Sequence, residues 1–275
     1  MSAPREDVYG SAKRVRVFRE WIETLRTRRG GGPLSVLDFG CGTGAALTVP
    51  LAGGSDRIHG VDAHAASIAL AQRLHALPQF SFGTETARDL LARGARFDVI
   101  VCSEVLEHTT TPADYLCDFR GLLLDGGLLL VSVPNGYGAF ETLQRVDRAL
   151  QRIGIGPLVD WSVWLLRLGY WRLRGRGTPP RPSEPAVASE TAGYLDCSST
   201  HVQFFRLPQL LALFAGAGFA LEASRGRVVL CGPYVDFWAA LSPQLLLRFN
   251  AWLADVLPLG WAADWMFRLR REEGA

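Results

Sequence analysis

Apolar and polar residues follow two different periods along this chain, one typical of buried strands and one typical of amphipathic helices. Between residues 34 and 133, short apolar runs alternate with segments whose apolar residues recur every three or four positions. The pattern predicts strands over 34–39, 57–61, 79–82, 97–102 and 128–133, with helices near 45–52, 64–76 and 114–124. Because the strands are almost continuously apolar and alternate with helices, we expect an α/β fold with a doubly wound, mostly parallel sheet.

The segment before this alternation predicts one more helix. Over residues 11–29, apolar side chains recur at helical intervals before a glycine-rich break at 30–33; they are Val15, Phe18, Trp21, Ile22 and Leu25. We therefore interpret residues 1–33 as an N-terminal helix and linker that either packs over the sheet or covers a site.

The alternation stops after the core segment 34–136. Residues 137–200 predict a helical insertion that ends in a flexible loop rich in Pro, Ser and Ala at 178–190. The chain is then expected to return to the core over 201–232, with a helix at 208–216 and a closing antiparallel pair formed by 220–224 and 227–230. Residues 233–275 are rich in aromatic residues at helical spacing, and they predict a helical tail that the core does not need.

Composition narrows the class of protein. The chain has 275 residues, 48% hydrophobic and 20% charged, which fits one globular domain with an insertion. A net charge of +2, with acidic and basic residues spread along the chain, argues against a dedicated nucleic-acid-binding protein. The 5 cysteines form no C-x-x-C pair, so neither a disulfide framework nor a zinc site is indicated. With no secretory signal and no uncharged apolar run long enough to span a bilayer, a cytoplasmic protein is expected.

Candidate chemistry begins at a glycine-rich corner after the first strand. Gly40, Gly42 and Gly44 let the main chain turn sharply and approach a ligand, as nucleotide-like molecules require. Gly40, Gly42 and Ala45 also satisfy the dinucleotide-binding fingerprint G-x-G-x-x-G/A, with Asp62 as its ribose-binding acid, which leaves a nicotinamide-dependent oxidoreductase open. Asp38 favours a different ligand, because a carboxylate there attracts an ammonium group and repels a pyrophosphate.

The segment VLDFGCGTG at 36–44 resembles the first motif of the class I S-adenosylmethionine-dependent methyltransferases. Three later segments resemble the same family in the same order, especially its branch of quinone-biosynthesis O-methyltransferases: SEVLEH at 103–108, the pattern LxxGGLLLVSxPN at 123–135, and HxxFF at 201–205. The resemblance implies a Rossmann-like seven-stranded sheet closed by an antiparallel hairpin. It also implies S-adenosyl-L-methionine as cofactor and a small-molecule or lipid-linked acceptor.

The resemblance implies roles for particular residues of the donor site. Asp62 would bind the ribose hydroxyls, although an aspartate there is also a good N-cap for the next helix. Ala63 would lie on the adenine, and Thr84 stands where the family often has an acid against the adenine amino group. The expected cofactor-binding residues are Asp38, Gly40, Cys41, Gly42, Gly44, Asp62, Ala63, Thr84, Glu85 and Ser103.

Three residues are candidates for activating an acceptor hydroxyl. His108 follows the fourth strand at the expected pocket edge and titrates near neutral pH, so it is a candidate base or orienting group. His201 and Glu107 are further candidates, and each also has a structural explanation as an anchor of its loop. No metal-ligand spacing is visible in the sequence, so a metal-independent reaction is expected. O-methylation is favoured, with N- or C-methylation left open.

Two segments combine tryptophan with arginine in a way that suits a membrane interface. Residues 158–176 and 237–271 either contact the inner face of a membrane or pack as a cap on the core. This pattern also leaves open a non-catalytic scaffold that binds S-adenosylmethionine or a membrane surface. The sequence gives no indication of an oligomeric state.

Overall fold

One mixed sheet of seven strands organises the computed structural model, which describes residues 6–173, 175, 201–231 and 243–272. The strands are β1 (Ser35–Phe39), β2 (Arg57–Val61), β3 (Phe80–Gly83), β4 (Phe97–Ser103), β5 (Leu123–Pro134), β6 (Phe219–Gly226) and β7 (Asp264–Arg271). Their order is β3-β2-β1-β4-β5-β7-β6. The first five strands are parallel, and β7 runs antiparallel to both of its neighbours. The predicted fold class is confirmed.

Helices connect the strands and cover both faces of the sheet. They are α1 (Ser11–Arg28), α2 (Thr48–Leu51), α3 (Ala65–Leu74), α4 (Ala87–Ala92), α5 (Pro112–Leu122), α6 (Ala139–Arg152), α7 (Gly156–Leu173), α8 (Leu207–Gly216) and α9 (Pro243–Val256). The helix expected near 45–52 is shorter than predicted, since residues 45–47 form turns and α2 is a single helical turn. The remaining predicted helices of the core agree with the structure within a few residues.

The core forms as two layers because successive residues of a strand point to opposite faces. On one face, Val99 and Val101 of β4 belong to a buried cluster with Phe18 of α1. On the other face, Ile100 belongs to a cluster with Phe119 of α5 and residues of α4 and α8. The N-terminal helix α1 therefore packs over the sheet, which was one of the two roles expected for it.

The closing antiparallel pair exists, but its second strand was placed wrongly by the sequence. β6 pairs with β7 at 264–271, not with 227–230, and β7 lies between β5 and β6. The predicted helical tail therefore contains a core strand, in which Trp265, Met266 and Phe267 are all buried. These three side chains are therefore not exposed for a membrane contact.

The main chain of residues 227 and 228 bonds to residues 264 and 263, at 2.9 and 2.7 Å, and a side chain holds the rest of the segment predicted as the second strand. Asn250 of α9 accepts hydrogen bonds from the main-chain N–H groups of Val229 and Leu230 at 3.1 and 2.9 Å. Its own amide donates to the Leu230 carbonyl at 2.6 Å. These bonds satisfy the polar groups of a buried, irregular segment, which explains why its apolar residues resemble a strand in sequence.

The insertion after β5 begins with the helices α6 and α7, as expected. The predicted loop at 178–190 lies outside the described residues, and so does the start of the tail at 233–242. Among the helices of the described residues, none combines the length and the apolar character that crossing a bilayer requires.

Candidate active site

The glycine corner forms a tight turn at the carboxyl end of β1. Gly40, Gly42 and Gly44 have φ angles of 79°, 55° and 75°, a region of backbone conformation that residues with a Cβ atom rarely adopt. The N–H groups of Gly40 and Cys41 both donate to the carbonyl of Val61 at the end of β2, at 2.8 and 3.0 Å. A Cβ on Gly40 would collide with the side chain of Val105, whereas one on Gly42 would meet open space. The turn is thus packed on one side and open on the other.

Asp62 lies at the end of β2 and faces this turn. Its two carboxylate oxygens accept the N–H groups of Gly42 and His64, each at 2.8 Å. These bonds fix the carboxylate against the glycine turn and leave the oxygens further lone pairs for ligand hydroxyls. Ala63 next to it is exposed, as a residue lying on a bound ring needs to be.

Asp38 is buried within β1, at 2% exposure. It accepts a hydrogen bond from the Thr48 hydroxyl at 2.6 Å. Burial raises the pKa of this carboxyl to about 6, with Asp62 adding to the rise and Arg14 opposing it. A buried carboxyl with this pKa is stabilised in its ionised form by a ligand that carries a positive charge.

The remaining predicted donor residues have different environments. Cys41 is buried beneath the turn, where burial raises the pKa of its thiol, so it contributes only main-chain groups to the open side. Thr84 is exposed after β3. Glu85 is engaged in ion pairs with Arg93 at 2.7 Å and His59 at 3.7 Å, which gives its carboxylate a structural role.

Ser103 belongs to a buried polar network at the ends of β4 and β5. Its hydroxyl accepts from Arg14 of α1 at 2.9 Å and lies 2.7 Å from the hydroxyl of Ser132. Ser132 donates to the carboxylate of Glu104, which also accepts from Arg227 at 2.9 Å. The network joins the N-terminal helix, the central strands and the segment after β6 into one charged cluster.

Sequence reasoning missed the charged members of this network. Glu104 is the non-glycine residue with a positive φ, 58°, among the described residues, a strained conformation that is often kept at functional sites. Burial alone would raise the pKa of Glu104, but the guanidinium groups of Arg227 and Arg14 outweigh it and the pKa is lowered. Burial and the charge of Arg227 lower the pKa of Arg14 to about 10. One local signal could have identified Arg14 as buried. It precedes Phe18 by four residues and therefore lies on the same buried face of α1.

The three acceptor-activating candidates converge at one point. Glu107 and His108 lie in a single turn of 3₁₀ helix at residues 106–108, directly after β4. The carbonyl of Glu107 accepts the N–H groups of Val202 and Gln203 at 2.9 and 3.0 Å, so the return from the insertion is bound to this turn. The rings of His108 and His201 are 5.0 Å apart, and one ligating atom from each of the three side chains lies within 4.8 Å of the others.

The carboxyl of Glu107 is an unusual member of this cluster. It is 1% exposed, and neither of its oxygens has a hydrogen-bond partner among the described residues. Its Oε1 lies 3.9 Å from Nε2 of His108. Burial, followed by the negative charge of Glu104, raises the pKa of Glu107 well above its ordinary value. The cluster therefore contains an acid that is easily kept protonated and that a positive charge would favour in its ionised form.

Comparison with known proteins places this chain in a family. The profile of a family described as "Methyltransferase domain" matches residues 11–224, which covers most of the chain. The "Ubiquinone biosynthesis O-methyltransferase" of Cereibacter sphaeroides (strain ATCC 17025) is 42% identical over 105 residues, covering 37% of this chain and 42% of that protein. The protein with the same name from Chelativorans sp. (strain BNC1) is 32% identical over 177 residues, covering 62% of both chains.

The match spans less than two thirds of the length of these relatives. In structure, the chain is similar to the CurJ carbon methyltransferase, with a TM-score of 0.53 at 15% identity over 96% of this chain and 55% of that one. This likeness concerns the fold alone. Together with the family match, the glycine turn and the acid of β2 show that the chain belongs to the S-adenosylmethionine-dependent methyltransferases.

Proposed function

We propose that this protein transfers a methyl group from S-adenosyl-L-methionine to a hydroxyl of a small-molecule or lipid-linked acceptor. The observation that carries the proposal is the convergence of Glu107, His108 and His201 beside the glycine turn. Val105, in the same turn as this cluster, packs against Gly40, so the donor and acceptor sides share one short segment. O-methylation is also the activity named for the two relatives described above.

The described residues fit the donor. The exposed side of Gly42 leaves room for close approach to the main chain, and Asp62 presents an oriented carboxylate for two ribose hydroxyls. Asp38 is a buried acid that gains from a nearby ammonium group, while Arg14, three ångströms from Ser103, is a cation for the donor's carboxylate. Bound S-adenosyl-L-methionine supplies a methyl group that is already activated by its positively charged sulfur.

The residues of the protein must position the acceptor and remove its proton. Holding the hydroxyl in line with the methyl group supplies roughly 7–11 kcal/mol at best. Removal of the proton by a positioned group adds about 10²–10⁴-fold in rate. His108 and His201 stand at the right place for this step, because both rings lie at the cluster and one carboxyl, Glu107, lies beneath them.

Apolar side chains exposed on two helices support a lipid-linked acceptor and contact with a membrane surface. On α7 these are Leu158, Trp161, Leu165, Leu166 and Leu173, and on α9 they are Leu245, Leu246, Phe249, Trp252 and Val256. Such side chains, interleaved with arginines, are typical of helices that lie at a bilayer interface. We assign the insertion the role of guiding the acceptor to the cluster.

Two other functions have less support. A nicotinamide-dependent oxidoreductase would place a pyrophosphate at the turn, close to the carboxylates of Asp38 and Asp62, which repel it. A non-catalytic scaffold would not need the acceptor cluster, whose buried Glu107 carboxyl is costly to the fold.

The donor site is tested by titrating the purified protein with S-adenosylhomocysteine in a calorimeter. We expect micromolar binding in the wild type and a loss of at least about 100-fold in Asp62→Ala, since two hydrogen bonds to a charged group are removed. Asp125→Ala is the matched control. Asp125 is an exposed acid near the start of β5, and it therefore lies at the opposite end of the parallel strands from the glycine turn. A folded wild type that binds no S-adenosylhomocysteine would overturn the proposed function.

The acceptor is then sought among phenolic, glycosyl and lipid-linked alcohols. With an active acceptor, His108→Ala and His201→Ala should lower kcat while S-adenosylhomocysteine binding is retained. Unchanged kcat in both variants would remove the cluster from the reaction.

A further inference from the structure

We propose that Glu107, His108 and His201 form a binding site for one divalent transition-metal cation. Each residue contributes one ligating atom, and the three atoms lie within 4.8 Å of one another. Ligands about 2.1 Å from a tetrahedral zinc ion are about 3.4 Å apart, so rotation of the side chains by roughly 1 Å completes the set. The main chain already holds the three residues together before any ion binds, through the bonds from Val202 and Gln203 to the Glu107 carbonyl.

The environment of Glu107 is an independent indication of a missing cation. Its carboxyl is almost completely buried and neither oxygen has a hydrogen-bond partner in the part of the chain that the structure describes, an arrangement that proteins rarely keep without a compensating group. The neighbouring acid Glu104 already accepts hydrogen bonds from the guanidinium of Arg227 and the hydroxyl of Ser132, and neither group donates one to Glu107. A cation placed between the Glu107 oxygens and the two imidazoles would supply the charge that this carboxyl lacks.

The donor set indicates the class of metal. Two imidazoles and one carboxylate suit Zn²⁺, Co²⁺ or Fe²⁺, whereas Mg²⁺ and Ca²⁺ prefer oxygen ligands alone. Three protein ligands leave a coordination position open, as in catalytic metal sites. The ring of His108 is partly exposed, which leaves that open position accessible from outside.

A cation here would define how the acceptor is activated, and this role rests on the proposed function. An acceptor hydroxyl bound at the open position would release its proton to solvent water more easily, because the metal's charge stabilises the alkoxide or phenolate that then takes the methyl group. The two histidines would then serve as ligands instead of proton acceptors. This departs from the metal-independent reaction expected from the sequence, where His201 is separated from the other two ligands by the whole insertion.

Cobalt and zinc titrations of the chelator-treated full chain test the site. We expect about one Co²⁺ per chain with visible d–d absorption, displaced by Zn²⁺, and affinity lowered at least about 100-fold in Glu107→Gln and His201→Asn. His59→Ala is the matched control, because His59 and Glu85 form another histidine–glutamate pair, 3.7 Å apart, without a third ligand. Circular dichroism of every variant verifies that it is folded.

The outcomes separate this inference from the proposed function. Folded wild type that binds Co²⁺ no better than Glu107→Gln and His201→Asn would overturn the metal site, whatever the donor titration gives. Metal binding lost in both variants, with S-adenosylhomocysteine binding intact, would support it. Metal binding without any binding of S-adenosylhomocysteine would support the site and overturn the proposed function instead.

Discussion

Replacing Asp38 by asparagine is expected to stabilise the free protein and to weaken its binding of the donor. Asparagine keeps an oxygen that accepts the Thr48 hydroxyl, so the main change is the loss of a buried charge. The pKa of Asp38 is raised to about 6, chiefly by burial. The gap between this value and the ordinary 3.8 corresponds to about 3 kcal/mol of unfolding free energy.

The sign of the pH dependence follows from the direction of this shift. The folded-state pKa of Asp38 lies above its unfolded-state pKa. Below about pH 4 the carboxyl is protonated in both states and does not reduce the free energy of unfolding. As the pH rises through 6, the carboxyl ionises in the folded state too, and this free energy falls. Asp38→Asn should therefore match the wild type in acid and exceed it by up to about 3 kcal/mol at pH 7, or roughly 5–10 °C in Tm. Binding of S-adenosylhomocysteine should fall about 10- to 100-fold at pH 7, since a charged partner of the ammonium is lost.

The assay combines thermal unfolding between pH 4.5 and 8 with calorimetric titrations at the same pH values. Wild-type affinity for S-adenosylhomocysteine should rise between pH 5 and 7, while the affinity of Asp38→Asn should be flat. If the stabilities of the two proteins change in parallel over this pH range, the buried charge of Asp38 does not cause the pH dependence of stability. If Asp38→Asn binds as tightly as the wild type, the carboxylate does not pair with the ammonium group.

Two further predictions concern stability and the membrane. Asp56, fully buried, accepts both Nη groups of Arg26 at 2.7 and 2.6 Å, and these bonds outweigh burial and lower its pKa. In urea unfolding, Asp56→Asn should lower the free energy of unfolding by about 3–5 kcal/mol at pH 7, and this loss should shrink as the pH falls through the pKa of Asp56. A loss that does not depend on pH would contradict this reasoning. The double variant Phe249→Ser and Trp252→Ser should bind vesicles of phosphatidylcholine and phosphatidylglycerol about tenfold more weakly in flotation. Equal binding of that variant and the wild type would exclude α9 as the contact.

The meeting of the glycine turn with Asp62 could be predicted because its signals are local. Glycines that directly follow a buried strand indicate a turn, as Gly40, Gly42 and Gly44 do here. Asp62 directly follows the next strand. Since parallel strands end at the same edge of the sheet, their order in sequence was enough to bring these residues together.

The seventh strand could not be predicted because nothing local identifies its partner. Its alternating arginines, Arg268 and Arg270, resemble an exposed basic tail, but both pair with Glu222 of β6 across the sheet at 3.2 Å. The apolar segment just after β6 offered a closer partner in sequence, and short loops are the common choice. The segment is instead satisfied by main-chain bonds of residues 227 and 228 to residues 264 and 263, and by the side chain of Asn250, far along the chain.

The turn over residues 103–108 explains why the two halves of the site are coupled. Val105 packs on the glycine turn, the carboxylate of Glu104 binds Arg227, and the carbonyl of Glu107 binds the return from the insertion at Val202. These contacts on three sides hold Glu104 in its left-handed conformation, which an unconstrained glutamate would leave at a gain of about 1–3 kcal/mol. A displacement of the residues that return from the insertion therefore acts on the same turn that packs against Gly40.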